Sequence, residues 1–255
     1  MTPHFPANAD TILLTEEAGA DPDLVPKVEA ALKAGKTVII TSGLLRRLQD
    51  KGIRDIVEWN DTGNIAAVHD FLNGFGAGNG ISLNDAAHDN PAVLFPEIHF
   101  YTNDSWPIIR GVAHDKGFPI MLMNHYSKGT IYLLNIPENM GDLYSLPQPV
   151  LSQIKKYVQQ DFPVRIDSPA KVALFAYDNN SFVVESFLPT GAKVNISVAG
   201  AGRHLRDLTS GAVVEAAATV ENPMAHFRHP YSEPPRSNFP VTIAPHSYQV
   251  YRIEN

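Results

Sequence analysis

The chain contains no cysteine. That single absence excludes disulfides, thiolate metal sites and a cysteine nucleophile, and it fits a reducing or an oxidising compartment equally. Basic charge is scarce and nowhere gathered: 20 Lys and Arg stand against 27 Asp and Glu, for a formal net charge of −7. Phosphate neutralisation needs clustered Lys and Arg, so neither nucleic acid nor a membrane is expected as a partner. No apolar run approaches the ~20 residues of a membrane span. The opening stretch "MTPHFPANAD" lacks the basic segment and apolar core of a signal peptide. Localisation stays open, a periplasmic or secreted parent being compatible with these features. There is no internal repeat and no low-complexity tract. What the chain does have is 255 residues, 44% of them hydrophobic and 18% charged, enough for one large or two modest globular domains. Two are expected.

The first half reads as strand, helix, strand, helix. "TILLT" (11–15) is a short apolar run of strand length. In "DPDLVPKVEAALKAGK", Asp21 is placed to cap and Pro22 suits a first turn. Leu24, Val25, Val28, Ala31 and Leu32 share one helical face, and Gly35 ends the helix. "TVIITSGLL" (37–45) runs β-branched residues into a short helix closed by Gly52. This alternation predicts a parallel sheet covered by helices, with any ligand site beyond the carboxyl ends of the strands. Signals weaken between Trp59 and Ser105, where "GFGAGNG" (74–80) spaces its glycines differently from a dinucleotide-binding G-x-G-x-x-G and reads as a turn. "FPIMLMNHYSKGTIYLLNIP" reads as a hairpin bending at Ser127–Lys128–Gly129. "LPQPVLSQIKKYVQQ" then reads as a helix with Val150, Leu151, Ile154, Tyr157 and Val158 on one face.

From about Pro163 the helical period gives way to short strands. "KVALFAYDNNSFVVESFL" predicts a hairpin around Asp178–Asn179–Asn180. "AKVNISVAG", "RHLRDLTSGAVV" and "VTIAPHSYQVYRI" complete an antiparallel β-sandwich. The Pro-rich connection 221–240 is expected to be irregular. The predicted domains are 1–162 and 163–255.

Ser42 follows a strand on a tight turn, the setting of an activated serine. A nucleophile needs a base and an orienting acid. No histidine downstream sits in a motif that would supply them, and Ile40 stands where G-x-S-x-G has its first glycine. A helix cap is the favoured reading of Ser42. Glu16 and Glu17 follow a strand end, yet adjacent residues point apart, and a glycosidase pair must face across roughly 5–9.5 Å. Loop carboxylates are expected there. His226 and His229 are three apart, but a metal needs a third ligand and their loop offers none at a usual spacing. Phe227, Tyr231, Phe239 and Tyr248, with Arg228 and Arg236, form either a sugar-stacking surface or a loop packed on the sandwich by its rings, the second being favoured. No cofactor and no metal are expected.

"TVIITSGLL" together with "HYSKGTIYLLNIPENMGDLYSLPQPVLSQIKKYV" resembles the glutamine amidotransferase-like (flavodoxin-like) α/β domain that follows the catalytic barrel in many bacterial glycoside hydrolases. This includes the trimerisation domain of one β-galactosidase group. "KVALFAYDNNSFVVESF", "HLRDLTSGAVV" and "PHSYQVYRI" are similar to the β-sandwich closing such enzymes. The resemblance implies a three-layer flavodoxin-like α/β domain, then an all-β sandwich. True glutamine amidotransferases carry a cysteine on the turn and a histidine–glutamate pair near the domain's end. Here Ser42 takes the turn, and no His-x-Glu follows "TIYLLNIP". The resemblance thus implies a non-catalytic accessory region serving packing or oligomerisation, with no catalytic residue beyond the candidate Ser42. Its expected partners are a catalytic barrel or sister subunits, with carbohydrate and a homodimer as further possibilities. By the same resemblance the chain lacks a barrel at its front, and is either a fragment of a longer glycoside hydrolase or a separated module. A serine hydrolase using Ser42, and a carbohydrate-binding module using loop 221–240, are the alternatives.

Overall fold

The computed structural model describes residues 5–74, 80–84, 91–114, 116–160, 162–220 and 235–254. It divides into two compact units, Met1–Asp161 and Phe162–Asn255.

The first unit is built on a six-stranded sheet. Its order is β1 (Thr11–Leu14), β2 (Thr37–Thr41), β8 (Gly129–Leu134), β7 (Lys116–Tyr126), β6 (Ser105–Ala113) and β4 (Asp70–Asn73). β1, β2 and β8 run parallel, whereas β8, β7, β6 and β4 pair antiparallel. Every residue of β2 is buried, as expected of a strand covered on both faces. Its alternation sends Val38 and Ile40 to one core and Ile39 to the other. The first core is completed by α1 (Leu24–Lys33) and α2 (Ser42–Leu48), through Leu24, Val28, Leu32, Leu44, Leu45 and Leu48. Each such side chain contributes roughly 1.5–3 kcal/mol by leaving water. Asp21 Oδ1 accepts from the Asp23 amide at 3.0 Å ahead of α1, and Gly35 follows it at φ 88°, a conformation natural to glycine. The β7–β8 hairpin turns at Ser127, whose φ is 56°, and Gly129 already belongs to β8.

The second core overturns the expected flavodoxin-like architecture. Residues 59–105, unassigned from sequence, hold a separate two-stranded ribbon of β3 (Asn60–Val68) and β5 (Val93–His99), besides the edge strand β4. Ala66, Val68, Val93 and Phe95 of this ribbon pack with Met121, Met123 and Tyr132 of the sheet, and α3 (Gln148–Val158) adds Val150. A ribbon and one helix therefore lie where a flavodoxin-like domain has a helical layer, and among the described residues strand far outweighs helix. The α/β three-layer, glutamine amidotransferase-like reading is corrected accordingly. The reason is physical: β3 carries polar and glycine residues, "NDTGNIAAV", with a register shift between Asp61 and Ile65, so neither period is visible in it. Gly74 and Gly80 are the ends of the glycine run, whose residues 75–79 lie outside the described residues. A Cβ on Gly74 would stand 2.3 Å from the Pro107 carbonyl oxygen, so this glycine serves close backbone approach.

The second unit has a five-stranded antiparallel sheet, β10 (Val172–Ala176), β11 (Ser181–Ser186), β17 (Ser247–Glu254), β13 (His204–Asp207) and β14 (Val213–Glu215). A four-stranded sheet of β15 (Ala218–Val220), β16 (Arg236–Ile243), β12 (Ala192–Ala199) and β9 (Val164–Asp167) faces it. One core joins them, with Phe182, Val184, Leu205 and Tyr251 against Ile166, Val194, Ile196 and Phe239. The β10–β11 turn holds Asn180 at φ 62°, as an Asx-rich turn allows. The Pro-rich connection is strand at its end, contrary to expectation. Pro240 sits in β16 opposite Asn195, and β15 reaches only to Asn238, so one side of β16 is open where proline lacks a donor.

Candidate functional site

The carboxyl ends of parallel strands are where an α/β sheet presents reactive groups. At β2 that place holds Thr41 and Ser42. Thr41, not Ser42, caps α2: its Oγ1 accepts from the Leu44 amide at 3.4 Å. Ser42 is 2% exposed, and its Oγ accepts from the Ile136 amide at 3.0 Å, just past β8. Among the described residues no hydrogen bond joins Ser42 to a histidine. His125, one of the downstream histidines, instead places Nδ1 3.1 Å from Thr130 Oγ1.

Side chains of the same chain close over this turn. Gly43 lies so near Glu16 that a Cβ there would stand 2.7 Å from Glu16 Oε2. Arg47 holds Glu16 through its backbone carbonyl at 3.2 Å and its carboxylate at 3.7 Å. Glu17 turns to Thr15, whose hydroxyl donates at 2.6 Å. That bond holds the Glu17 carboxyl below the usual range. Arg46 ties Asp61 at 2.7 Å and Glu138 at 3.5 Å, and Asp61 also accepts from the Gly63 amide at 2.9 Å. The two glutamates predicted as loop carboxylates are thus engaged in local pairs around a short 3-10 turn, Glu16–Ala20. Chemically, the arrangement neutralises and covers the strand ends and leaves Ser42 Oγ serving as an acceptor for the main chain.

The predicted aromatic surface divides. Phe239 is fully buried in the sandwich core. Arg236 is 7% exposed, with Nε donating to Ser197 Oγ at 3.0 Å and Nη2 to the Ser197 carbonyl at 2.8 Å. Tyr248 is exposed on the outer face of the five-stranded sheet. His226, Phe227, Arg228, His229 and Tyr231 lie outside the described residues. Among the described residues no group of three or more His, Asp or Glu is placed to hold a metal, and no helix is long and apolar enough to cross a membrane. Sequence reasoning missed a shallow cleft of about 500 Å3 lined by Glu58, Tyr101, Thr102 and Asn103. Tyr101, Thr102 and Asn103 fall in the span whose elements had no readable period, Glu58 directly precedes it, and no motif marks them.

Residues 1–139 match the family model described as uncharacterized protein SSO3021, second domain. The chain belongs to the SSO3021 second-domain family. Residues 163–253 match the model of a probable glycosyl hydrolase, C-terminal domain, so this family member is related to glycoside hydrolases through its sandwich. A search of curated proteins found no match. Similar solved structures include a β-galactosidase from Bacillus circulans sp. alkalophilus, at 11% identity and a TM-score of 0.49, covering 99% of this chain and 34% of that one. The β-galactosidase from Rahnella sp. R3 gives 12% and 0.48, covering 99% and 34%. The α-L-fucosidase isoenzyme 2 from Paenibacillus thiaminolyticus gives 11% and 0.48, covering 99% and 42%. The chain spans about a third of the length of these β-galactosidases.

Proposed function

We propose that this member of the SSO3021 second-domain family is a non-catalytic accessory region of a glycoside hydrolase, serving domain packing or oligomerisation against a catalytic barrel or sister subunits. The observation that carries the reading is the state of Ser42. The residue in the one position where sequence suggested a nucleophile is buried and accepts a main-chain hydrogen bond, and its neighbour Gly43 packs against Glu16. A nucleophile must instead reach a base and an incoming carbonyl. The match of residues 163–253 to a probable glycosyl hydrolase C-terminal domain supports the enzyme class. The test is activity with and without a barrel. The isolated chain is expected to leave activated esters and aryl glycosides unhydrolysed, with Ser42→Ala giving the same background in both assays, and the parent chain is expected to raise the thermal stability of a catalytic barrel from the same gene. Hydrolysis that disappears in Ser42→Ala would refute the reading.

A further inference from the structure

The sandwich carries an apolar outer face that its core does not explain. Register fixes which residues share it, because directly opposed residues project from the same side of a sheet. Phe182, Val184 and Tyr251 point inward, so Ser181, Val183 and Glu185 of β11 and Tyr248, Val250 and Arg252 of β17 point outward. Phe175 of β10 is opposite Val183, and Val183 is opposite Val250. Ala173, Glu185 and Tyr248 form the next row, while Ser181 and Arg252 form the row beyond Val183. Tyr177 follows β10, its amide bound to the Ser181 carbonyl at 3.0 Å, and alternation puts its ring beside Phe175. The three rings are 46%, 56% and 64% exposed at Phe175, Tyr177 and Tyr248.

These rings form two ridges with lower ground between them. Phe175 and Tyr177 rise from β10 and Tyr248 from β17. The floor between is β11, with Val183 and Ser181 beside Ala173. Two interstrand spacings separate the ridges, about 9.5 Å from strand axis to strand axis. At one end Glu185 stands on the β11 floor between Ala173 and Tyr248, and at the other Arg252 rises from the β17 side opposite Ser181. Among the described residues neither side chain makes a hydrogen bond or an ion pair, whereas the neighbouring Arg206 is fully engaged with Glu254 at 2.7 and 2.9 Å.

We infer that this trough binds a neutral oligosaccharide, with Phe175, Tyr177 and Tyr248 stacking on sugar rings and Glu185 and Arg252 taking hydroxyls. The dimensions select the occupant. A helix with its side chains is 10–12 Å across and does not seat between the ridges. An extended peptide brings a row of backbone donors and acceptors that a face of side chains cannot pair. A glycan presents apolar ring faces to the aromatics and hydroxyls to one carboxylate and one guanidinium. A net charge of −7, with Arg252 already within electrostatic reach of Glu254, does not favour a polyanion. The inference is independent of the accessory role, since a barrel can dock elsewhere.

The experiment is calorimetric titration of the full chain with soluble neutral hexose and pentose oligosaccharides, with sulfated ones as the charged comparison. Binding of at least one neutral series is expected. Tyr248→Ala and Phe175→Ala should each weaken it about tenfold, a loss in line with one aromatic contact, and Glu185→Gln should weaken it as well. Val213→Ala, on the far edge of the same face, should leave it unchanged. All these positions except Glu185 are well exposed, so unchanged circular dichroism and melting are the expected controls. Absence of binding to every neutral series would overturn the inference. So would binding that survives Tyr248→Ala combined with Phe175→Ala, or a concentration-dependent mass that those two substitutions abolish, which would assign the face to a second copy. Stabilisation of the barrel is expected to survive both substitutions, so failure here leaves the accessory role standing and failure there leaves the trough.

Discussion

Two buried side chains show what individual residues contribute. The Ser42 hydroxyl accepts from the Ile136 amide in a place closed to water, so Ser42→Ala strands a main-chain donor. A loss of about 1–3 kcal/mol is expected, larger than the ~1 kcal/mol of a missing helix cap, and chemical denaturation will separate the two values. Tyr251 is buried in the sandwich core, and its hydroxyl donates to Gln249 Oε1 at 2.6 Å. Burial first, with the nearby Asp207 carboxylate second, pushes its pKa up to about 12. The folded state thus holds the phenolic proton more tightly than the unfolded chain, whose tyrosines ionise near 10. The contribution is full below pH ~10 and is lost as pH rises from ~10 to ~12, in total on the order of 2 kcal/mol. Relative to Tyr251→Phe, which has no such proton, the parent sequence should lose stability across that window. Parallel pH curves for the two proteins would contradict the argument.

At the scale of elements, glycine marks one junction that sequence alone does not single out. Gly129 opens β8 against the end of α1, where a Cβ would lie 2.6 Å from the carbonyl oxygens of both Leu32 and Lys36. These are backbone atoms and cannot swing aside. Gly129→Ala is therefore expected to cost about 1–3 kcal/mol through overpacking, read as a lower melting temperature of the first unit. The sequence placed Gly129 in a turn because a glycine after Ser127 and Lys128 is a turn signal. It is in fact the first paired residue of a strand. Elements with a clear period were legible: α1, β2, α3 and the β10–β11 hairpin follow from apolar spacing and Asx residues. β3, β4 and β5 were not, since polar residues, glycine and a register shift hide a two-residue repeat. That gap produced the wrong architecture for the first unit. The site was half legible in the same sense. Ser42 was found by its place after β2, but its bond to Ile136 spans 94 positions, and the outward alignment of Phe175 with Tyr248 depends on a pairing order no local pattern reveals.

For the whole molecule, β1 forms one edge of the six-stranded sheet, with Leu13 45% exposed. An open apolar edge pairs readily with another chain, and two-fold dimers are the commonest closed assembly. Light scattering over a dilution series is expected to show reversible self-association, and Leu13→Lys is expected to shift it toward the monomer. A constant monomeric mass at tens of micromolar would remove the edge as an interface. The parallel pairing of β2 with β8 also sets an order of events in time. β2 leaves the ribosome long before β8, and until Gly129–Leu134 arrives its five buried residues have no partner on that side. Non-local pairing of this kind is slow and leaves strands exposed meanwhile. The nascent chain thus carries an unshielded apolar strand through the synthesis of some ninety residues, and its yield in the cell depends on whatever shelters that strand during the wait.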